Sequence, residues 1–212
     1  MLGIYVTVPV ACFRKGMARE YLETEPLPPP ATCYGFLLSL VGETDRRRHL
    51  NVRIAPVLLG KPETSVVLRT VWRVKKTPLG SPGNTRPDYQ QLLTGVELVI
   101  WLDSSQEVAD GLETRVDTAL ADPRSVSRFG GLSLGESTHM VNEVTPVEKV
   151  SARLDGRTGQ AFLVAERGRM TLPIWVDHVG SSGTRYATGD LVECIASQSP
   201  PPDAMPRISF DC

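Results

Sequence analysis

The order in which strand-like and helix-like segments alternate is the feature that most constrains the fold of this chain. The first segment, Leu2–Val10, is rich in β-branched and aromatic residues and predicts a strand. After a polar connection of about twenty residues, apolar residues from Tyr34 to Val41 recur at the spacing of one helical face, and Gly42 suits the position just past the helix end. The later segments are predicted in chain order as strands at 51–60, 65–76 and 92–104, a helix at 106–122 that ends at Asp122-Pro123, and a closing strand at 142–150.

This order predicts an α+β fold. If the two strands within 51–76 count as one bent strand region, the plan is the βαββαβ order of a ferredoxin-like, or RRM-like, domain over residues 1–150. Residues 151–212 are interpreted as a small C-terminal β-rich extension, with short strands at 161–165, 170–177 and 190–196 and a proline-rich end. A chain of 212 residues accommodates one such domain with an appendage, whereas two full-sized domains would be cramped.

Composition excludes several other classes of protein. Apolar residues make up 41% of the chain and charged residues 22%, a balance that supports a packed core. No apolar run approaches 18 residues, and the N-terminus reads as a strand rather than a signal peptide, so we expect a cytoplasmic protein with no membrane span. The four cysteines show no CxxC spacing and no histidine at ligand spacing, which predicts reduced thiols, no metal site and no cofactor.

Charge is distributed unevenly along the chain. The net charge is −1, but residues 1–100 carry a balance of +5 and residues 101–212 a balance of −6. The first half therefore offers a basic face that a polyanion could use. Arginine outnumbers lysine by 18 to 5, which suits contacts to phosphate and base edges. A GC-rich genome would give the same bias without functional meaning.

The segment Arg124–His139, between the second helix and the closing strand, is rich in glycine and hydroxyl residues. Such a loop allows close backbone approach and offers N–H donors to phosphate oxygens, with arginine forks beside them. The alternative interpretation is a flexible connector between helix and strand. The candidate binding residues in this glycine-rich loop are Arg124, Arg128, Gly130, Gly131, Ser133, Gly135, Ser137 and His139.

Two further basic segments are candidates for phosphate contacts. After the first strand, Arg14, Lys15 and Arg19 precede Tyr21. Cations beside an aromatic ring can contact phosphates while the ring stacks on a base. The alternative interpretation is that these side chains are only the solvated charges of a long loop. The run Arg46-Arg47-Arg48-His49 contacts phosphate or simply complements the dipole of the preceding helix.

The residues between the predicted strands at 65–76 and 92–104 look like a projecting hairpin or loop. This stretch holds three prolines and two glycines and few apolar side chains. For catalysis the sequence is poor, because none of the usual hydrolase, metalloprotease, deaminase or kinase motifs occurs.

Taken together, these segments resemble the fifth family of CRISPR-associated proteins, and most closely its myxobacterial Dev-type branch. The resemblance rests on ETEPLPPPATCYGFLLSLVGE at the first helix and on RFGGLSLGEST after the second, in this order on a βαββαβ plan. It covers residues 1–150 well and the remainder only in its strand-rich character.

The resemblance implies an RRM-like fold with an inserted thumb hairpin at about 75–91, where Lys75, Lys76 and Arg86 would contact RNA. It also implies a subunit of a type I Cascade complex that binds the 5′ handle of crRNA and caps the filament of backbone subunits. The implied partners are crRNA, the backbone and large subunits, and target DNA through the complex.

One branch of this family cleaves precursor crRNA with a tyrosine and a Lys-His pair, but this chain has no Lys-His dipeptide. Two hypotheses follow, beside the alternative of a ferredoxin-like protein with no role in nucleic-acid binding. The first is a non-catalytic RNA-binding subunit with no catalytic residues. The second is a metal-independent endoribonuclease in which Tyr21 or Tyr34 and His139 activate a 2′-hydroxyl.

Overall fold

The computed structural model describes residues 1–16, 18, 20–72, 78, 80–107, 111–179 and 181–210. The helices and strands are, in chain order, β1 Leu2–Ala11, β2 Tyr21–Leu22, α1 Pro30–Leu40, β3 Arg53–Leu59, β4 Glu63–Trp72, β5 Thr85–Asp103, α2 Leu112–Ala121, β6 Glu143–Pro146, α3 Ser151–Leu154, β7 Thr158–Val164, β8 Met170–Trp175 and β9 Arg185–Ile195.

Within the described residues, one large sheet has the strand order β6-β1-β5-β3-β7-β9-β8. Neighbours along this order are antiparallel. Two more strands pair with β5 outside this order, β4 in antiparallel and β2 in parallel orientation. A mixed α/β fold with a large antiparallel sheet and few helices is thus confirmed. Strands β7, β9 and β8 continue the same sheet beyond β3.

Helix α1 begins and ends where the sequence predicted. Pro30 is its first residue, a position where the missing N–H of proline costs nothing, and Pro29 precedes it as the N-cap residue. At the other end Gly42 has φ +69, the left-handed conformation that favours glycine. The helix buries Tyr34 and Leu37 against the sheet.

Helix α2 begins later than predicted. Gly111 is its N-cap residue, and residues 108–110 lie outside the described residues. Two N–H groups of its first turn donate to side chains that precede the helix. Leu112 N donates to the Glu107 carboxylate at 2.8 Å, and Glu113 N donates to Ser104 Oγ at 3.1 Å. The helix ends before Pro123, as predicted.

The sheet is covered on both faces by different parts of the chain. On one face α1 and α2 pack over the central strands. On the other face Tyr5, Val99 and Trp101 are covered by the segment Val147–Leu154 and by Met205. The closing strand is therefore shorter than predicted: β6 ends at Pro146, because the chain then turns over this second face and buries Val147 and Val150 there.

The described part of the predicted projecting segment belongs to a long hairpin. Strand β5 starts at Thr85, well before the predicted strand at 92–104, and its first half pairs with β4 from Trp72↔Thr85 to Glu63↔Thr94. Of the predicted thumb at 75–91, residues 85–91 are thus one arm of this hairpin, whereas Lys75 and Lys76 lie outside the described residues. None of the described helices has the length and apolarity that a membrane crossing needs.

Candidate functional site

The glycine-rich loop is fixed against the end of β1 by His139. Its Nδ1 atom accepts the backbone N–H of Cys12 at 3.2 Å and that of Glu136 at 3.1 Å. Because Nδ1 accepts both bonds, the ring proton is assigned to Nε2. Burial lowers the pKa of His139, which keeps the ring neutral. His139 lies beneath the loop, where only 8% of it is exposed, and acts as its anchor.

Gly135 is required by the same close packing. Its φ is +103, and a Cβ there would lie 2.8 Å from the carbonyl oxygen of Cys12. Leu134, beside it, is completely buried. The centre of the loop is therefore held in place by packing and is not a flexible connector. Ser133 and Ser137 lie on either side of it.

The first half of the loop faces solvent. Arg124, Arg128 and Gly130 are exposed, and a Cβ at Gly130 would meet no described atom within 4 Å. At Gly131 a Cβ would meet the end of the flexible Met140 side chain. Phe129 is fully exposed.

Phe129 was not among the predicted site residues. Among the described residues Phe129 is the most exposed large hydrophobic side chain, and an aromatic ring between an arginine and a glycine pair offers a stacking platform. That local pattern, Arg-Phe-Gly-Gly in a polar segment, was the signal in the sequence that could have identified it.

The first basic loop, residues 12–20 between β1 and β2, folds back on itself. Phe13 N donates to Thr24 Oγ1 at 2.9 Å, and Glu25 N donates to the carbonyl oxygen of Phe13 at 2.7 Å. Arg14 is exposed, and Lys15 lies 3.7 Å from Glu23 in an exposed pair of the kind that contributes little. Tyr21, in β2, is 40% exposed and pairs with Tyr89 of β5. Arg19 lies outside the described residues.

The hairpin formed by β4 and β5 is joined to both loops by polar contacts. Arg69 lies 3.0 Å from the Glu136 carboxylate of the glycine-rich loop, which also accepts from Gln90 Nε2 at 2.9 Å. Arg86 pairs with Glu20 of the first basic loop and lies 3.3 Å from Asp88. The hairpin contacts through Arg69 and Gln90 were not predicted.

Three segments that lie far apart in the sequence therefore meet around the end of β1. The glycine-rich loop contacts Cys12, the first basic loop follows directly from it, and Thr24 N donates to Gln91 Oε1 of the hairpin at 3.1 Å. The anchored half of the glycine-rich loop, the first basic loop and the hairpin thus form one continuous region, and the exposed Arg128 and Phe129 belong to the other half of the same glycine-rich loop. Single-stranded nucleic acid is bound by this combination of groups.

The arginine run after α1 is used within the fold. The Arg46 guanidinium lies 4.4 Å from the Trp175 ring centroid, and Arg47 lies 5.4 Å from that of Phe210. Arg48 pairs with Glu43 at 3.2 Å. The run thus attaches the α1–β3 connection to the C-terminal part of the chain.

His49 belongs to a buried polar network under this run. The ring is fully buried, with Nδ1 against Glu107 and Nε2 2.6 Å from Arg115 Nη1. Arg115 also donates to Glu43 at 2.6 Å, and this hydrogen bond, ahead of the Asp45 N–H and the charge of Arg48, lowers the pKa of the Glu43 carboxyl to about 2.

The tyrosine in α1 that the endoribonuclease hypothesis used has a structural partner. The Tyr34 hydroxyl is buried and donates to the carbonyl oxygen of Arg46 at 2.7 Å, and burial raises its pKa. With His139 Nδ1 also engaged, neither group is placed as a base. No cluster of metal-ligating side chains occurs in the part of the chain that the structure describes.

Comparison with known proteins identifies the family. No protein-family model matches the chain. A protein of Myxococcus xanthus (strain DK1622), described as CRISPR-associated protein Cas5, is 51% identical over 217 residues, which cover 98% of this chain and 97% of that protein. The chain belongs to the Cas5 family.

Solved structures show the same fold at low sequence identity. A chain of a CRISPR RNA-guided surveillance complex matches this Cas5 protein with a TM-score of 0.58 and 12% identity, over 92% of this chain and 90% of that one. A crystal structure of a Cas protein matches with a TM-score of 0.53 and 16% identity, over 97% of both chains. The family resemblance recognised in the sequence is confirmed.

Proposed function

We propose that this Cas5 protein is a non-catalytic subunit of a CRISPR effector complex that binds the 5′ handle of crRNA. The observation that carries the proposal is the convergence of the glycine-rich loop, the first basic loop and the β4–β5 hairpin around the end of β1. Arg14, Arg124 and Arg128 would contact phosphates, while Phe129 and Tyr21 would stack on splayed bases.

The architecture supports an RRM-like, ferredoxin-like classification of the core. Neighbouring strands in the order β6-β1-β5-β3 are antiparallel, and α1 and α2 cover one face of them. The other face, which RRM domains use for RNA, is covered here by Val147–Leu154. The loops at the end of β1 are thus the better candidate surface.

The same proposal assigns the protein its partners. The β4–β5 hairpin would act as the thumb that contacts the neighbouring backbone subunit, and the complex would include a large subunit and meet target DNA through the guide. Copurification with the products of neighbouring genes, followed by sequencing of the bound RNA, tests this assignment. Recovery of repeat-derived 5′ ends supports it.

A binding measurement tests the RNA contact directly. The purified chain is titrated against a single-stranded RNA with the 5′ segment of the repeat, and against a scrambled RNA. We expect preference for the repeat sequence, and a decrease in affinity of about tenfold or more for the double variant Arg128→Ala, Phe129→Ala. Lys149→Ala, which removes an exposed cation from the opposite face of the sheet, is the matched control and should bind as the unmodified chain does. Equal affinity for both RNAs would contradict the proposal.

A further inference from the structure

A second concave surface lies beside the glycine-rich loop. It is a cleft of about 310 Å³ between the exposed side of α1, the glycine-rich loop and the residues after β8. Among the described residues that line it there is no carboxylate; they include Gly35, Ser39, Arg46, Ser133, Gly135 and His178. Its volume is in the range of small-ligand pockets.

Arg46 is held in a fixed position at the edge of this cleft. Its guanidinium lies over the Trp175 ring and donates to the carbonyl oxygen of Val176 at 2.9 Å. Its backbone carbonyl accepts from the buried Tyr34 hydroxyl. A guanidinium has five N–H donors in a planar fork, and this contact uses one of them. An arginine immobilised in this way loses little entropy when it binds an anion.

Gly35 gives independent evidence that the cleft is kept open. It lies within α1 and is exposed, and a Cβ at this position would meet no described atom within 4 Å. Glycine inside a helix costs about 1 kcal/mol relative to alanine, and here no packing contact of the described residues requires it. A molecule bound against the helix would need the space that a side chain at position 35 would otherwise occupy.

We infer that this cleft binds one phosphate-bearing nucleotide of single-stranded RNA, with Arg46 and His178 at the phosphate. The inference rests on the proposed function and extends it to a site formed by α1 and the C-terminal part of the chain. Ser133 and Gly135 belong both to the glycine-rich loop and to the cleft wall. A strand bound at the loop therefore continues directly into the cleft. The hydroxyl groups of Ser39 and Ser133 supply hydrogen-bond partners for ribose.

Gly35→Glu tests the inference, because its Cβ would meet no described atom within 4 Å and the rest of the side chain adds bulk and negative charge to the cleft. We expect it to lower affinity for the repeat-derived single-stranded RNA about tenfold or more, through like-charge repulsion. Gly35→Ala should lower affinity less and raise thermal stability. Ser151→Glu adds the same charge on the opposite face of the sheet and should leave affinity unchanged. Arg46→Gln, which removes the cation placed at the phosphate, should reduce the log–log salt slope by roughly 0.7, the value expected when one single-strand phosphate is no longer neutralised.

The outcomes separate this inference from the proposed function. If Gly35→Glu folds and binds the RNA as tightly as the unmodified chain, while Phe129→Ala binds more weakly, the cleft is not part of the site and the proposed function stands. If the unmodified chain does not prefer the repeat-derived RNA, the proposed function itself fails. Weaker binding by Gly35→Glu and Ser151→Glu alike would show a general charge effect and would also overturn the inference.

Discussion

Gly42 and Ser127 pack backbone against backbone, so the glycine just past the end of α1 also positions the start of the glycine-rich loop. A Cβ at Gly42 would overlap the carbonyl oxygen of Ser127, and the φ of Gly42 is +69. Gly42→Ala should therefore destabilise the protein by more than about 1 kcal/mol and displace the loop. Urea denaturation measures the change.

Gly35→Ala is the matched control for this substitution, since it adds the same methyl group within the neighbouring helix. Here we expect a gain of about 0.5–1 kcal/mol, because alanine favours the helix and meets no described neighbour. Equal effects of the two substitutions would show that contact with Ser127 does not determine the cost at Gly42.

Phe129→Ala should weaken RNA binding without weakening the fold. The ring is fully exposed, whereas removal of one stacking partner costs about 1–3 kcal/mol of binding free energy. Fluorescence anisotropy with the repeat-derived RNA, beside a thermal melt, distinguishes the two effects. Val192→Ala, which shortens a half-exposed side chain on β9, should change neither quantity by a comparable amount. A lower melting temperature with unchanged affinity would make Phe129 a structural residue.

The contact between Arg69 and Glu136 should couple the hairpin to the glycine-rich loop. Both side chains are partly exposed, so the pair alone is worth about 0.2–1 kcal/mol, and Gln90 adds a second hydrogen bond to the same carboxylate. In a double-mutant cycle with Arg69→Ala and Glu136→Ala, we expect a coupling energy of about 0.5 kcal/mol or more. Strict additivity of the two substitutions would show that the hairpin and loop are energetically independent.

Neutralising the first basic loop should change the salt dependence of RNA binding. The variant Arg14→Ala, Lys15→Ala, Arg19→Ala should lower affinity and reduce the log–log slope by roughly 0.7 for each phosphate that is no longer neutralised. Preference for the repeat sequence should persist, since phosphate contacts carry no sequence information. An unchanged slope would remove this loop from the binding surface.

Glu43 should contribute stability that depends on pH. Its folded pKa is about 2, held down chiefly by the hydrogen bond from Arg115, while an unfolded glutamate titrates near about 4.3. The contribution is therefore fully present above about pH 4.3 and is lost as pH falls toward 2. Glu43→Gln should be less stable than the unmodified chain at pH 7, and the difference should shrink between pH 5 and 2 in urea titrations. The exposed Glu148→Gln is the control, and a constant difference for Glu43→Gln across this range would contradict the assignment.

Sequence reasoning was most successful where the determining contacts are local. The bounds of α1 follow from Pro30 at its first turn and Gly42 past its end, and both act within a few residues. The first strand and the end of α2 at Asp122-Pro123 were predicted for the same reason.

The remaining features depend on partners far along the chain. The start of β5 at Thr85 was missed because prolines and glycines dominate the segment, while its strand conformation depends on pairing with β4. The convergence of the site could not be predicted either, since Cys12 and His139 are 127 positions apart. That the predicted residues bind RNA stays a prediction, and the meeting of the segments that carry them depends on the sheet.

Strand β5 is 19 residues long and serves both the hairpin and the centre of the sheet. Successive residues of a strand point to opposite faces, so a deletion of one residue from each arm would exchange the faces of everything beyond it. Arg69 and Gln90 would then point away from Glu136. Between the sheet and these two residues, viable relatives of this protein should therefore differ in length by even numbers of residues per arm. An engineered variant with a hairpin shortened in this stretch must likewise lose an even number of residues from each arm.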